Sequence, residues 1–260
     1  MINKEKKIKE FWDQQAIKYQ DSYLATVPDK FLKELEINSI LKYIPNQTKK
    51  VIDIGCGNGF STWQFAKDRR VDIIGLDYSE KMIEQAKKNI KKQNKLKGKI
   101  DFVVGSVLNL SNFQKSSFDI VISDRCLINL ISLNDQKIAI KEINRILKKK
   151  GKYIMCEDTQ EGLSKINDLR RLADLQEIPN HWHNIYLNEH KLLPYIKKYF
   201  KVIKVDNFSS LYYVASRIFN AVAADDKSKP DYLSDINKVA SKLPSIGEYS
   251  PLKIFYLEKK

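Results

Sequence analysis

The sequence predicts an α/β fold built on a mostly parallel sheet. Two observations carry that expectation. Val51-Ile52-Asp53-Ile54 is a short, β-branched, buried-strand pattern, and it runs straight into Gly55-Cys56-Gly57-Asn58-Gly59 and then a helix beginning at Phe60. Similar apolar runs recur at 71–77, 100–104, 118–124 and 151–158, each separated from the next by a turn or a segment of helical period, which is the alternation that builds a parallel sheet.

Each element has its own signal. Residues 1–25 read as an amphipathic helix, with Ile8, Phe11, Trp12, Ala16, Ile17 and Tyr19 near helical spacing. Asp29 can cap a second helix over 31–43. The three alternate glycines after the first strand fit a backbone that turns sharply and approaches a ligand closely. The second strand, 71–77, ends in Asp77, where a carboxylate can accept hydrogen bonds from both ribose hydroxyls. A helix is expected over 80–97, then a third strand ending at Gly105-Ser106-Val107. The fourth strand ends at Asp124-Arg125, at the sheet edge where ligands bind in open α/β folds. A helix over 134–148 is expected to close on Lys148-Lys149-Lys150-Gly151, lysines suiting the helix dipole and glycine the cap. A fifth strand ends in Glu157-Asp158. Further helices are expected over 163–175, 190–199, 211–224 and 232–242, a sixth strand over 202–205 and a last one over 252–257.

Composition narrows the function. With 260 residues and 43% hydrophobic content, the chain suits one large domain or a domain with a cap. No apolar run approaches the ~20 residues that span a bilayer, and no apolar segment follows Met1 to Lys7, so a cytoplasmic protein is expected. Cys56, Cys126 and Cys156 sit in or beside apolar runs and read as reduced core thiols. The net charge of +14 raises a nucleic-acid partner, but only seven of the 46 basic residues are arginine, at 69, 70, 125, 145, 170, 171 and 217. Lysines spread along helices, as at Lys87-Lys88 and Lys91-Lys92, read as solvated faces, so a small-molecule acceptor is expected instead, on a monomer or homodimer.

Five stretches together resemble the class I S-adenosylmethionine (SAM) dependent methyltransferases. D-x-G-x-G-x-G over 53–59 resembles their motif I, with Phe60 where a dinucleotide fingerprint has its third glycine, which argues against NAD. Asp77-Tyr78-Ser79 followed by Met82-Ile83, Phe118-Asp119-Ile120-Val121, and E-I-N-R-I-L-K-K-K-G-K-Y-I resemble three further motifs. F-W-D-x-x-A-x-x-Y over 11–19 resembles the N-terminal lid of many small-molecule members. The resemblance implies a Rossmann-like fold of seven strands, the last antiparallel, with a helical lid over 1–48, a SAM-binding core over 49–160 and substrate-side helices with the last two strands over 161–260. It implies SAM contacts from Asp53, Gly55, Cys56, Gly57, Gly59, Asp77, Tyr78, Ser106, Val107, Asp124, Arg125, Tyr19 and Trp12. Ser106 departs from the family's usual aspartate; its hydroxyl or the Val107 backbone is expected to meet the adenine.

The acceptor side begins where the resemblance thins. Pro179-Asn180-His181-Trp182-His183-Asn184 is the densest polar and aromatic cluster. Methyl transfer to a hydroxyl calls for a general base, and His183 and His181 are the candidates, with Asp158 as orienter or alternative. A packed loop explains the His-Trp-His run equally well. No metal is expected, because the cysteines flank strands rather than joining the histidines. The leading expectation is O-methylation of a small molecule such as a sugar. N-methylation of an amine, methylation of tRNA or rRNA, and a non-catalytic SAM-binding role stay open.

Overall fold

The computed structural model describes residues 2–47, 49–94 and 96–260. Met1 and Thr48, which bound the expected lid, and Lys95 in the basic stretch lie outside them. Seven strands form one sheet: β1 (Lys50–Ile54), β2 (Asp72–Asp77), β3 (Lys99–Val104), β4 (Phe118–Asp124), β5 (Leu147–Asp158), β6 (Phe200–Asp206) and β7 (Leu252–Lys259). Their order is β3-β2-β1-β4-β5-β7-β6. β7 runs antiparallel to both β5 and β6, while the other pairs are parallel. This is the Rossmann-like class I architecture that the motifs implied, antiparallel last strand included. The strand order reverses beside β1, so β1 and β4 open a crevice at their carboxyl ends.

The sheet is sandwiched because its central strands are apolar on both faces. Val51, Ile52, Ile54, Ile120, Val121 and Ile122 are all buried, as a parallel sheet covered on both sides requires. Helices α3 (Phe60–Asp68), α4 (Glu80–Lys91), α5 (Leu133–Ile146), α6 (Gln160–Leu172) and α7 (Glu189–Tyr199) cover it. Several open on the caps their sequences offer: Ser79, Ser132, Thr159 and Asn188 each accept a backbone N–H of the first turn.

The N-terminal helices stand apart from the βαβ units. α1 (Ile2–Tyr19) ends before a 3-10 turn at Tyr23–Ala25, and α2 (Lys30–Leu41) is capped by Asp29, as its position suggested. The chain after β6 forms α8 (Ser210–Val214), a π-helical stretch at Ala215–Phe219, α9 (Asn220–Ala223) and α10 (Asp235–Ala240). Helix α10 is shorter than the 232–242 expected, because Ser234 caps it and Ser241 ends it.

One boundary differs in kind. Helix α5 ends at Ile146, and Lys148 to Lys150 belong to β5 rather than to a lysine-rich helix end. Leu147 pairs with Phe118 across β4, and Lys148 donates to Asp119 at 2.8 Å, so the strand begins early. The glycine cap is replaced by an irregular register in which Lys150 takes φ +60°. All three cysteines are unpaired, with Cys56 and Cys156 buried. Among the described residues, no helix is long and apolar enough to cross a membrane.

Candidate active site

The site is founded on the turn after β1. Gly55, Gly57 and Gly59 all have positive φ, at 77°, 55° and 76°, a region costly to residues with a Cβ. The Gly55 and Cys56 N–H groups donate to the Leu76 carbonyl at 2.7 and 3.0 Å, pinning the turn to β2. Asp77 then meets it: its Oδ2 accepts the Gly57 N–H at 2.9 Å and its Oδ1 accepts the Ser79 N–H at 2.9 Å. A carboxylate offers about four lone-pair sites. Two are used by these backbone donors, and two remain free. Burial raises the Asp77 pKa to about 6 against the pull of those two N–H groups.

The N-terminal segment closes over this turn. Trp12 Nε1 donates to Asn129 Oδ1 at 3.2 Å, and Ser79 Oγ donates to Asp13 Oδ1 at 2.5 Å. Asn58, inside the glycine turn, donates to the Gln20 and Ser22 carbonyls at 2.7 and 2.9 Å. Trp12 and Tyr19 pack around buried Ala16, Ala25 and Met82. The enclosed cavity measures about 980 Å³, near the top of the range for small-molecule sites. It has room for a cofactor together with an acceptor.

Every residue singled out from the sequence lines this cavity except Gly59. Trp12, Tyr19, Asp53, Gly55, Cys56, Gly57, Asp77, Tyr78, Ser106, Val107, Asp124, Arg125, Asp158, His181 and His183 are brought together there. Gly59 sits behind the turn as the residue before α3, where a Cβ would come 2.7 Å from the Phe102 ring. Tyr78 places a buried hydroxyl at the cavity with no partner among the described residues. Ser106 Oγ accepts the Leu108 N–H at 3.2 Å and keeps its own proton to donate. Asp53 accepts from Thr62 Oγ1 at 2.6 Å, and burial raises its pKa to about 7. These are donors and acceptors of the kind an adenosyl ligand can use.

Asp124 and Arg125 belong to a buried charge cluster with α2. Lys33 Nζ reaches Asp124 Oδ2 at 2.9 Å and Glu36 Oε1 at 2.5 Å, and Arg125 reaches Glu36 Oε2 at 2.8 Å. Burial opposes the Lys33 ammonium, yet Asp124 and Glu36 outweigh it and its pKa rises. Burial likewise opposes the Asp124 carboxylate, and Lys33 and Arg125 hold its pKa down. Arg125 pays for its position with a left-handed backbone, φ +51°, an arrangement that clusters at functional sites.

The two histidines stack in a row with Phe11. The His183 ring stacks on Phe11 at 4.6 Å and meets the edge of Trp12 at 5.4 Å, with His181 stacked 5.7 Å beyond. Burial, aided by His181, lowers the His183 pKa to about 4, and its Nδ1 is buried without a partner among the described residues. Asp158, at the carboxyl end of β5, differs: burial raises its pKa to about 6, while Arg125 and Arg217 pull the other way. His190 lies on the surface, 3.8 Å from Glu161.

Comparison with known proteins decides the family. Residues 45–204 match the family described as "Methyltransferase domain". The chain belongs to that family, the SAM-dependent class I methyltransferases. The methyltransferase is 32% identical over 127 residues to a demethylmenaquinone methyltransferase of Staphylococcus haemolyticus, covering 47% of this chain and 49% of that one. It is 34% identical over 125 residues to a ubiquinone biosynthesis O-methyltransferase of Pelagibacter ubique, covering 48% of each. The chain spans about half the length of these curated relatives. Its fold is similar to a SAM-dependent methyltransferase of Thermotoga maritima described as a possible histamine N-methyltransferase, with TM-score 0.60, 18% identity, and 96% and 99% of the two chains covered.

Around the cavity also lie residues that sequence reasoning did not single out for a site. Lys33 and Glu36 look like an ordinary surface pair at helical spacing, but their side chains are 6% and 0% exposed. Asp29, read as a helix cap, also accepts from Tyr212 Oη at 2.6 Å and Arg217 Nη2 at 2.8 Å. Arg217 comes from the π-helical stretch, and its guanidinium lies 4.4 Å from the Tyr232 ring centre and 5.3 Å from that of Tyr213. Tyr186 and Tyr213 line the same cavity as Asp158. No local spacing marks any of these.

Proposed function

We propose that this methyltransferase transfers a methyl group from SAM to a hydroxyl of a small, largely apolar acceptor, with Asp158 as general base. In this reading residues 1–48 act as the lid, 49–160 hold the cofactor and 161–260 cover the acceptor. Asp77 binds the ribose hydroxyls, Tyr78, Ser106 and Val107 flank the adenine, and Asp53, Gly55 and Cys56 lie along the methionine portion. SAM supplies an electrophilic methyl on a positively charged sulfur. The chain's own task is to exclude water, align the acceptor and take its proton.

Asp158 carries the reading. A carboxylate with pKa about 6 is ionised at neutral pH yet basic enough to take a hydroxyl proton as the bond forms. His183, with pKa about 4 and its Nδ1 unpartnered among the described residues, serves better as an aromatic wall. An amine acceptor fits less well, because the Tyr213 and Tyr232 faces that would hold an ammonium already hold Arg217. The quinone-related names of two relatives favour a ring-bearing acceptor over a sugar.

Calorimetric titration with SAM, S-adenosylhomocysteine and NAD tests the cofactor half; binding of the two adenosyl ligands alone is expected. Transfer of labelled methyl from SAM to phenols, sugars, amines and tRNA tests the acceptor half. Labelling of phenols is expected, and labelling confined to amines or tRNA overturns it.

A further inference from the structure

Three polar groups on the acceptor side of the cavity have no hydrogen-bond partner among the described residues. The Asp158 carboxylate, the Tyr186 hydroxyl and the Tyr213 hydroxyl belong to residues 5%, 8% and 8% exposed, and all three residues line the cavity. None of these side-chain oxygens is sealed away from the cavity. Nearby, Tyr212 donates to Asp29, and Lys33 and Arg125 are ion-paired. Three such groups lining one space mark a surface built to be completed by a ligand.

Their chemistry is specific. The carboxylate can only accept, so it faces a ligand hydroxyl. The two phenols can donate, so they face a ligand oxygen with free lone pairs. Charge decides what kind of oxygen. Lys33, Arg125 and Arg217 are ion-paired with Asp124, Glu36 and Asp29 respectively, Arg170 donates to the Gln176 and Arg217 carbonyls, and Asp158 has no ion-pair partner among the described residues. A carboxylate on the ligand meets cations already held by other oxygens and faces Asp158. A neutral carbonyl oxygen meets two phenol donors without that repulsion.

We propose that the acceptor is a neutral, flat molecule carrying its reactive hydroxyl next to a carbonyl oxygen, the hydroxyl held by Asp158 and the carbonyl by Tyr186 and Tyr213. This deepens the O-methylation reading and rests on it for the identity of the methylated atom, but the oxygen-pair site itself is tested by binding alone. The walls suit such a ring: Trp12, Ile178 and His183 flank the same space.

The test is calorimetric binding of 2-hydroxyacetophenone, salicylate and phenol to the full chain saturated with S-adenosylhomocysteine. 2-Hydroxyacetophenone is expected to bind at least tenfold tighter than phenol and than salicylate. The Tyr186→Phe/Tyr213→Phe double variant is expected to lower its affinity about tenfold, to the level of phenol, while leaving S-adenosylhomocysteine binding unchanged. Because neither hydroxyl bonds to another described residue, the variants keep their fold, which unchanged thermal melting verifies. Equal binding of 2-hydroxyacetophenone and phenol, preference for salicylate, indifference to the double variant, or no binding of 2-hydroxyacetophenone each overturns the proposal. A separate arm adds labelled SAM: tight binding of 2-hydroxyacetophenone without methyl transfer overturns the O-methylation reading and leaves the oxygen-pair site standing.

Discussion

The Gly57 N–H donates to Asp77 Oδ2 at 2.9 Å, joining the glycine turn to the end of the neighbouring strand. The register brings this about: β1 and β2 pair in parallel with Ile54 opposite Leu76, so the two strands end together and the turn lies over the carboxylate. The bond fixes the orientation of the acid and leaves its outer lone pairs free. In the proposed role an ionised Asp77 accepts both ribose hydroxyls, and a protonated one does not. Its pKa is raised to about 6, so SAM affinity is expected to be full at pH 7.5 and to fall as pH drops below about 6, by up to about tenfold per unit. Calorimetry across pH 5–8 measures it. Asp77→Asn is expected to bind SAM weakly and to flatten this dependence; a wild-type profile flat down to pH 5 contradicts the assignment.

Gly59 supports the site from behind. Its φ is +76°, and a Cβ at this position would lie 2.7 Å from Phe102, so a larger residue meets backbone strain and overpacking together. Gly59→Ala is expected to cost about 2–4 kcal/mol, read as a lower denaturant midpoint with unchanged slope. A loss under about 0.5 kcal/mol means that the turn and Phe102 relax freely.

Asp158 and His183 are separable. Asp158→Asn is expected to lower kcat by about 10²–10⁴-fold with SAM affinity unchanged. For the wild type, kcat/KM is expected to fall on the acid side of about pH 6, because the base must be ionised and its pKa is raised to that value. His183→Ala is expected to raise KM more than it lowers kcat, since the ring forms wall. An acid limb near pH 4 that vanishes in His183→Ala reverses the two roles.

The pairing of Arg217 with Asp29 ties the cap to the entrance of α2, across 188 residues of chain. Asp29→Ala leaves Arg217 buried with its charge unmatched and also removes the Tyr212 acceptor. Breaking such a pair costs about 3–5 kcal/mol, so a fall in Tm on the order of 6–15 °C is expected. Arg217→Met, which removes the charge and roughly keeps the volume, is expected to be milder. Equal losses in the two variants point to packing rather than charge as the cause.

The sequence by itself determined the parallel core, the glycine turn, the strand-ending acid and many of the residues that line the cavity. Those features arise from preferences that act over a few residues: β-branched strands, glycines that tolerate positive φ, serine and asparagine caps, and acids placed where strands end. The same locality misread Lys148 to Lys150, whose spacing suits a helix end until Phe118 and Asp119 draw them into β5. Only the tertiary structure decided which distant groups meet around the cavity. Lys33 and Glu36 carry the spacing of a surface pair and become buried because Asp124 and Arg125 arrive from β4 and the turn after it to neutralise them. Asp29, Arg217, Tyr186, Tyr213 and Asp158 meet through packing of segments far apart in the chain. Burying a charge or a hydroxyl depends on which partners reach it, and partners that distant leave no trace in local pattern.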